Sequence, residues 1–577
     1  MRHLSVLLVF LILFSCSRQP STLLLPENSD LTLGLAVKDS LKKTEADTFR
    51  VNLAANAFVT GFANQITLDV ELHILGPDKK ETNSYDESAR GHDYFFFNAK
   101  EAGLYAIVVK PFRENEGAYE LTITQAEPIA TDPAKRVDQI TAAMIPPDGP
   151  GASVAVMKDN QLVYSKGFGH ANLEYDIHNT PQTIFHIASV SKQFTAFAIA
   201  LLAEEGKLSI HDDIREYLPE LHDFGTPITI NHLVHHTSGL RDQWNLLAMA
   251  GWRLDDVITR NQILRLISKQ RELNAQPGEE FNYCNTGYTL MAEIVSRVSG
   301  KPFPEWMQEH VFKPLDMKST LFYDDHERLV PNRAYSYYMR DTTYKKSVLS
   351  YANAGATSLF TTPEDLLKWA MNFETMKVGN ANVMAMMEEK FILNKGDTIN
   401  YAFGQDISKY KGLKTAAHGG GDAGYRTFLV RFPEQKFAVA VFSNLASFSP
   451  GGLSYSIADA YLSDLYREEP RKEETSRPEE KKEPFDAAQV KLNEYEGKYY
   501  SPELETFYEL EVVNDTLVAH HQRHDDFKIM PKAADVFSST AWWMGDLRFT
   551  RNSAKKVDGL KASNGRVKNL DFRKQAD

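Results

Sequence analysis

Cysteine is nearly absent from this chain, with two residues in 577, Cys16 and Cys284. At most one intramolecular disulfide is available, and no paired Cys-x-x-Cys spacing exists to hold a structural zinc. Positive charge is also short. Lys and Arg number 64 against 77 Asp and Glu, a formal net charge of -13, which excludes the basic surface that nucleic-acid binding requires. One long apolar run stands out, Leu4 to Phe14, and it is too short to span a bilayer comfortably. No Gly-x-Ser-x-Gly pentapeptide occurs, so the nucleophile elbow of the α/β-hydrolases is missing.

What is present can fill real cores: 43% of residues are hydrophobic and 11% aromatic. The length predicts three or four compact units. Arg2 and His3 precede the apolar run, the order of a signal peptide. The run ends Leu13-Phe14-Ser15-Cys16, which resembles the bacterial lipobox. That resemblance implies a lipoprotein signal over residues 1–16, cleaved so that Cys16 is the first mature residue, with lipid on Cys16 and a place at the cell envelope, since two or more acyl chains anchor stably. With Cys16 lipidated no intramolecular disulfide remains. A polar tether (17–28) leads into 29–127, where partly alternating runs (Leu68, Val70, Leu72, Ile74) between glycines and Asp/Asn clusters predict a β-sandwich. Residues 134–468 mix helical and strand spacing, 469–484 are a charged linker with no apolar face, and 485–577 are strand-like again, a small antiparallel barrel.

Three short segments carry chemistry: Ser189-Val-Ser-Lys192, Tyr283-Cys-Asn285 and His418-Gly-Gly-Gly421. Ser189 precedes a helical stripe (Phe194, Phe197, Ala198, Leu201, Leu202), where free N–H groups favour developing negative charge. Lys192, three residues on, shares its face, and burial there would let its amine accept a proton near neutrality. Tyr283 beside that cation could approach the phenolate form and relay the proton, while Asn285 offers donors and an acceptor to orient the lysine and a substrate carbonyl. The glycines let a backbone N–H approach an oxyanion with no Cβ in the way. The triple His232, His235 and His236 and the group His520, His521 and His524 are expected to be structural.

These segments, with Phe185–Thr195, Ile228–Leu240, Phe281–Tyr288 and Pro314–Met317, resemble the serine β-lactamase and penicillin-binding-protein superfamily in its class C-like branch. The resemblance implies a multidomain α/β fold, an antiparallel sheet flanked by helices plus a helical subdomain. It implies Ser189 as nucleophile, Lys192 and Tyr283 as proton-transfer partners, and Asn285, His418 and Gly420 as substrate-orienting residues. The backbones of Ser189 and Gly421 would form the oxyanion hole. The tail from Leu492 resembles the lipocalin-like barrels appended to some members.

Two departures stand out. Cys284 replaces a common serine at a non-catalytic position. His418 replaces the lysine of penicillin-recognising members, and a histidine is mostly neutral at pH 7, which turns the expectation toward D-aminopeptidase and esterase-like relatives. The expected function is a metal-free, cofactor-free serine hydrolase cleaving a small peptide, amide or ester through an acyl-enzyme. The rivals are a weak β-lactamase and a catalytically inactive envelope binding protein.

Overall fold

The computed structural model describes residues 30–86, 91–113, 115–146, 148–340, 343–467, 487 and 490–576. The expected signal with Cys16, the tether and the charged linker 469–484 lie outside the described residues. The chain divides into two compact units, Met1–Met144 and Ile145–Asp577.

In the first unit, eight strands between Val37 and Pro128 form two four-stranded antiparallel sheets. Alternation does the folding work here: Leu68, Val70, Leu72 and Ile74 are fully buried, and together with Val51, Val59, Phe95 and Ile107 they fill the layer between the sheets. Helix α1 (Pro133–Ala143) starts at Asp132, whose carboxylate accepts from Lys135 N, with Pro133 in its first turn. It belongs to this unit, where Arg136 lies 4.4 Å over the Phe58 ring. The expected hydrolase start at residue 134 thus falls within its first turn.

The second unit is built on one antiparallel sheet. Its strands are β1 (Ala152–Lys158), β2 (Gln161–Phe168), β3 (Asp406–Tyr410), β4 (Leu413–Asp422), β5 (Tyr425–Phe432) and β6 (Phe437–Ser443), in spatial order β2-β1-β6-β5-β4-β3. Asp159 and Asn160, both at positive φ, make the tight β1–β2 turn. Helices Pro363–Thr375 and Pro450–Leu462 pack on the sheet. Two further helices carry the site, α2 (Lys192–Glu204) and α3 (Asn285–Ser299). Most of the apolar stripe of α2 is buried as its spacing predicts, with the Phe194 ring tilted against Trp369 at 4.6 Å and the Phe197 ring edge-on to it at 4.8 Å.

Eight strands from Gly497 to Lys574 then close into an antiparallel barrel, first strand pairing with last through Tyr499 and Lys574. Its interior is filled by side chains such as Tyr508, Leu517, Phe527, Leu547 and Phe572. Its last two strands are β7 (Val557–Asn564) and β8 (Val567–Lys574). The barrel is sealed to the helical part by a fully buried cation: Arg241 donates to Glu503 Oε2 at 3.0 Å and to the Lys568 carbonyl at 3.0 Å.

Candidate active site

Ser189 lies in a single 3₁₀ turn, Ala188–Ser191, that runs directly into α2. The residue before it, Ala188, is held at φ +48, a conformation that costs a non-glycine residue energy and that packing must impose. Its N–H donates to His186 Nδ1 at 3.2 Å. The turn leaves Ser189 partly exposed while its neighbours Val190, Ser191 and Lys192 are buried.

Lys192 is buried at the first position of α2. Its Nζ stands 3.0 Å from Ser189 Oγ, 2.8 Å from Asn285 Oδ1 and 2.8 Å from the Ala356 carbonyl oxygen. The Asn285 amide orientation is settled by Asp242, whose Oδ2 accepts from Asn285 N at 2.6 Å and from Nδ2 at 2.8 Å. Oδ1 therefore faces the lysine. Burial pulls the Lys192 amine down to about 7, against the opposing pull of Asp422 and Asp242. A neutral amine has two N–H donors and one lone pair. Two carbonyl oxygens, which can only accept, take the donors, and the lone pair is left for the Ser189 hydroxyl proton.

Tyr283 stands just before α3, its ring 4.9 Å from Lys192 Nζ and 4.2 Å from the buried His236 ring. Burial pushes its phenol above the usual range, and a hydrogen bond with Ser189 acts the other way. It rests as a neutral phenol, not near the phenolate form that its position beside a cation had implied. Desolvation is the largest influence and outweighs both the Ser189 hydrogen bond and the Arg566 cation, while Asp242 and Asp422 add to the upward push.

The glycine run lies within a strand, β4. Strand β3 stops pairing at Ala417, so His418–Asp422 continues as an edge paired only to β5 and free to meet a substrate. Gly420 faces the nucleophile turn: a Cβ there would collide with the Ile187 carbonyl oxygen and Thr427 Oγ1. Thr427 Oγ1 donates to that same carbonyl at 2.9 Å, tying β5 to the turn. Gly420→Ala is expected to cut kcat/KM by about 10²–10³, the effect of misplacing one oxyanion donor, with ester-hydrolysis kinetics as the check. His418 Nδ1 donates to the Gly419 carbonyl at 2.6 Å, leaving Nε2 to accept from Tyr401 OH at 3.0 Å. Burial and nearby Lys192 push it down to about 3, so it is neutral at physiological pH.

The structure brings Ser189, Lys192, Tyr283, Asn285, His418 and Gly420 into one cleft edge, with Gly421 next along the open strand. Of the expected structural histidines, His232 caps a helix through Thr229 and His235 reaches the Asn231 and Glu389 carbonyls, while His236, packed beside Tyr283, accepts from Cys284 N through Nδ1. Among the barrel histidines, His524 Nε2 reaches the Ala248 carbonyl at 2.7 Å. Four contributors escaped the sequence. Asp242 looks like a simple N-cap and does cap Trp244 N; nothing in the chain signals its second task. Tyr401, Ala356 and Arg566 sit in segments without chemical pattern. Arg566 comes from the β7–β8 turn of the barrel, with its guanidinium carbon 5.0 Å over the Tyr283 ring. A cleft of about 1020 Å³ opens beside Gly421–Ala423, walled opposite by Arg523, His524 and Trp543 of the barrel.

A family model described as Beta-lactamase matches residues 138–462, more than half of the chain. The chain belongs to the Beta-lactamase family. Among its relatives are the D-aminopeptidase of Gluconobacter oxydans (strain 621H), 27% identical over 297 residues, 51% of this chain and 56% of the relative, and Penicillin-binding protein 4* of Bacillus subtilis (strain 168), 28% identical over 313 residues, 51% and 67%. The match to the D-aminopeptidase thus spans little more than half of that protein's length. A solved octameric penicillin-binding protein homologue from Pyrococcus abyssi is also similar, 25% identical over 74% of this chain and 96% of its own, at TM-score 0.49. The family's matched region ends at 462, before the barrel that supplies Arg566.

Proposed function

We propose that this protein is a serine hydrolase that cleaves a small peptide, amide or ester through an acyl-enzyme. One observation carries the reading: Lys192 Nζ lies 3.0 Å from Ser189 Oγ while two carbonyl acceptors, Asn285 Oδ1 and Ala356 O, take its N–H groups, so the neutral amine turns its lone pair to the hydroxyl. Lys192 takes the hydroxyl proton as Oγ attacks the carbonyl carbon. The negative charge that forms is received by backbone N–H groups of Ser189 and Gly421. The proton passes by way of Tyr283 to the departing amine or alcohol as the scissile bond breaks. Water then attacks the ester on Ser189, releasing the acid and restoring the hydroxyl. Family membership and the names of the relatives, a D-aminopeptidase and a penicillin-binding protein, support this chemistry. The neutral His418 favours amide or ester substrates over penicillins, which a fixed cation at that position would serve.

The lipobox-like Leu13-Phe14-Ser15-Cys16 supports a place at a bacterial membrane, held by lipid on Cys16. A fluorophosphonate probe tests the reading directly. Intact-mass analysis is expected to find one adduct, mapped to Ser189 by peptide digestion, and an unlabelled protein or an adduct elsewhere would sink it. Membrane fractionation of Cys16→Ala is expected to move the protein to the soluble fraction; unchanged membrane retention would refute the anchor.

A further inference from the structure

We propose that the β7–β8 hairpin builds a carboxylate-binding subsite at the mouth of the catalytic site, with the Arg566 guanidinium as receiving cation, and that the group leaving Ser189 bears a free carboxylate. The proposal rests on the serine-hydrolase reading above and narrows it to carboxypeptidase-type cleavage.

The backbone of the hairpin tip is fixed from the catalytic side. Asn274 Nδ2 donates to the Arg566 carbonyl at 2.9 Å, and the Asp242 N–H donates to the same oxygen at 3.2 Å. Asn245 Nδ2 donates to Asn564 Oδ1 at 3.1 Å, and Lys568 N donates to Asn274 Oδ1 at 2.7 Å. Asp242 is also the residue that aims Asn285 at Lys192. One residue therefore registers both the asparagine that holds the proton-accepting amine, through its carboxylate, and the barrel tip, through its backbone N–H. A fastened backbone presenting a long charged side chain is preorganised, which reduces the entropic cost of binding.

The side chain itself is left without an anion. Other cations along the same seam are matched: Arg241 with Glu503, Arg265 with Glu505, Arg523 with Asp256, Lys568 with Glu280. Arg566 is exposed and makes no ion pair among the described residues. Its guanidinium carbon lies 5.0 Å over the Tyr283 ring, a cation–π seat. Competing cations at the nucleophile have other work. Lys192 exchanges the reaction's proton, His418 is neutral, and Arg426 Nη1 donates to the Ala423 and Tyr425 carbonyls.

Position decides which half of the substrate carries the charge. Tyr283 returns the proton to the departing group, so the space over its ring belongs to that group. For a peptide, the C–N bond breaks as the Ser189 Oγ–C bond forms, and the serine proton ends on the departing amine. The departing residue then keeps its α-carboxylate within reach of Arg566, whose planar fork accommodates both oxygens.

The test uses the full chain and matched substrates: N-acyl dipeptides with a free C-terminal carboxylate and their C-terminal amides, with either configuration of the last residue. Wild-type kcat/KM is expected to favour the carboxylate about 10- to 100-fold, the range of a charge-assisted hydrogen-bonded contact. Arg566→Gln is expected to bring that ratio close to one, and Arg566→Lys to keep part of it. Equal use of the pair by the wild type, turnover of neither, or a ratio that survives in Arg566→Gln overturns the subsite. Fluorophosphonate labelling of Ser189 runs alongside on every variant. A labelled wild type without preference refutes the subsite alone, whereas an unlabelled wild type refutes the hydrolase reading beneath it.

Discussion

Replacing Ser189 by alanine is expected to lower turnover of an activated ester by about 10⁶-fold, as removal of the nucleophile does in serine hydrolases generally. The fold should not respond. Ser189 Oγ sits on the partly exposed side of its turn, and Lys192 keeps its other two partners, Asn285 Oδ1 and Ala356 O, when the hydroxyl is gone. The thermal midpoint of the variant is therefore expected to match the wild type. Both quantities come from one preparation, p-nitrophenyl ester hydrolysis and a thermal melt. Activity within tenfold of wild type in a folded variant would place the nucleophile elsewhere.

Lys192→Met should cost the next most, about 10²–10⁴ in kcat/KM, the usual contribution of a positioned general base. Methionine fills the lysine's volume without a charge or a donor, so the loss reports chemistry more than packing. The pH profile carries a sharper signature. Lys192 accepts a proton only when neutral, and its amine is held down to about 7 by burial. Wild-type kcat/KM is therefore expected to rise with pH, half-complete near 7, and to level off above. The limb should vanish in Lys192→Met. Asp422 opposes the depression, so Asp422→Asn should lower the amine further and move the limb to more acidic pH. A wild-type profile that falls across the same range would contradict the assignment of the base.

Burial explains where sequence reasoning and structure part on Tyr283. A tyrosine beside a lysine looks poised to ionise, because in sequence only the neighbour is visible. In the folded chain the dominant influence on Tyr283 is desolvation, which disfavours phenolate. The same desolvation acts on Lys192 in the opposite sense, disfavouring ammonium. One environment thus assigns the two roles, base to the lysine and relay to the phenol. The glycine run His418–Gly421 shows a related limit. Residues without side chains carry no strand propensity, yet they lie in β4 because Gly420 must pass the nucleophile turn where any Cβ would collide.

The sequence by itself determined the nucleophile candidate, its lysine, the tyrosine–asparagine pair and the third segment. It did so because each sits at a locally legible place: a serine before an amphipathic helix, a glycine run, alternating strands in both β regions. It also determined the α/β core with β-rich ends, since periodicity survives in one dimension. Tertiary structure alone decided what lies around those residues. Asp242 and Ala356 hold the lysine and its asparagine, and Tyr401 OH meets the His418 Nε2 that the Gly419 carbonyl leaves as an acceptor. Arg566 arrives from the far end of the chain on the barrel. Such partners are chosen by proximity in space, set by packing between elements distant in sequence, and no local pattern encodes it.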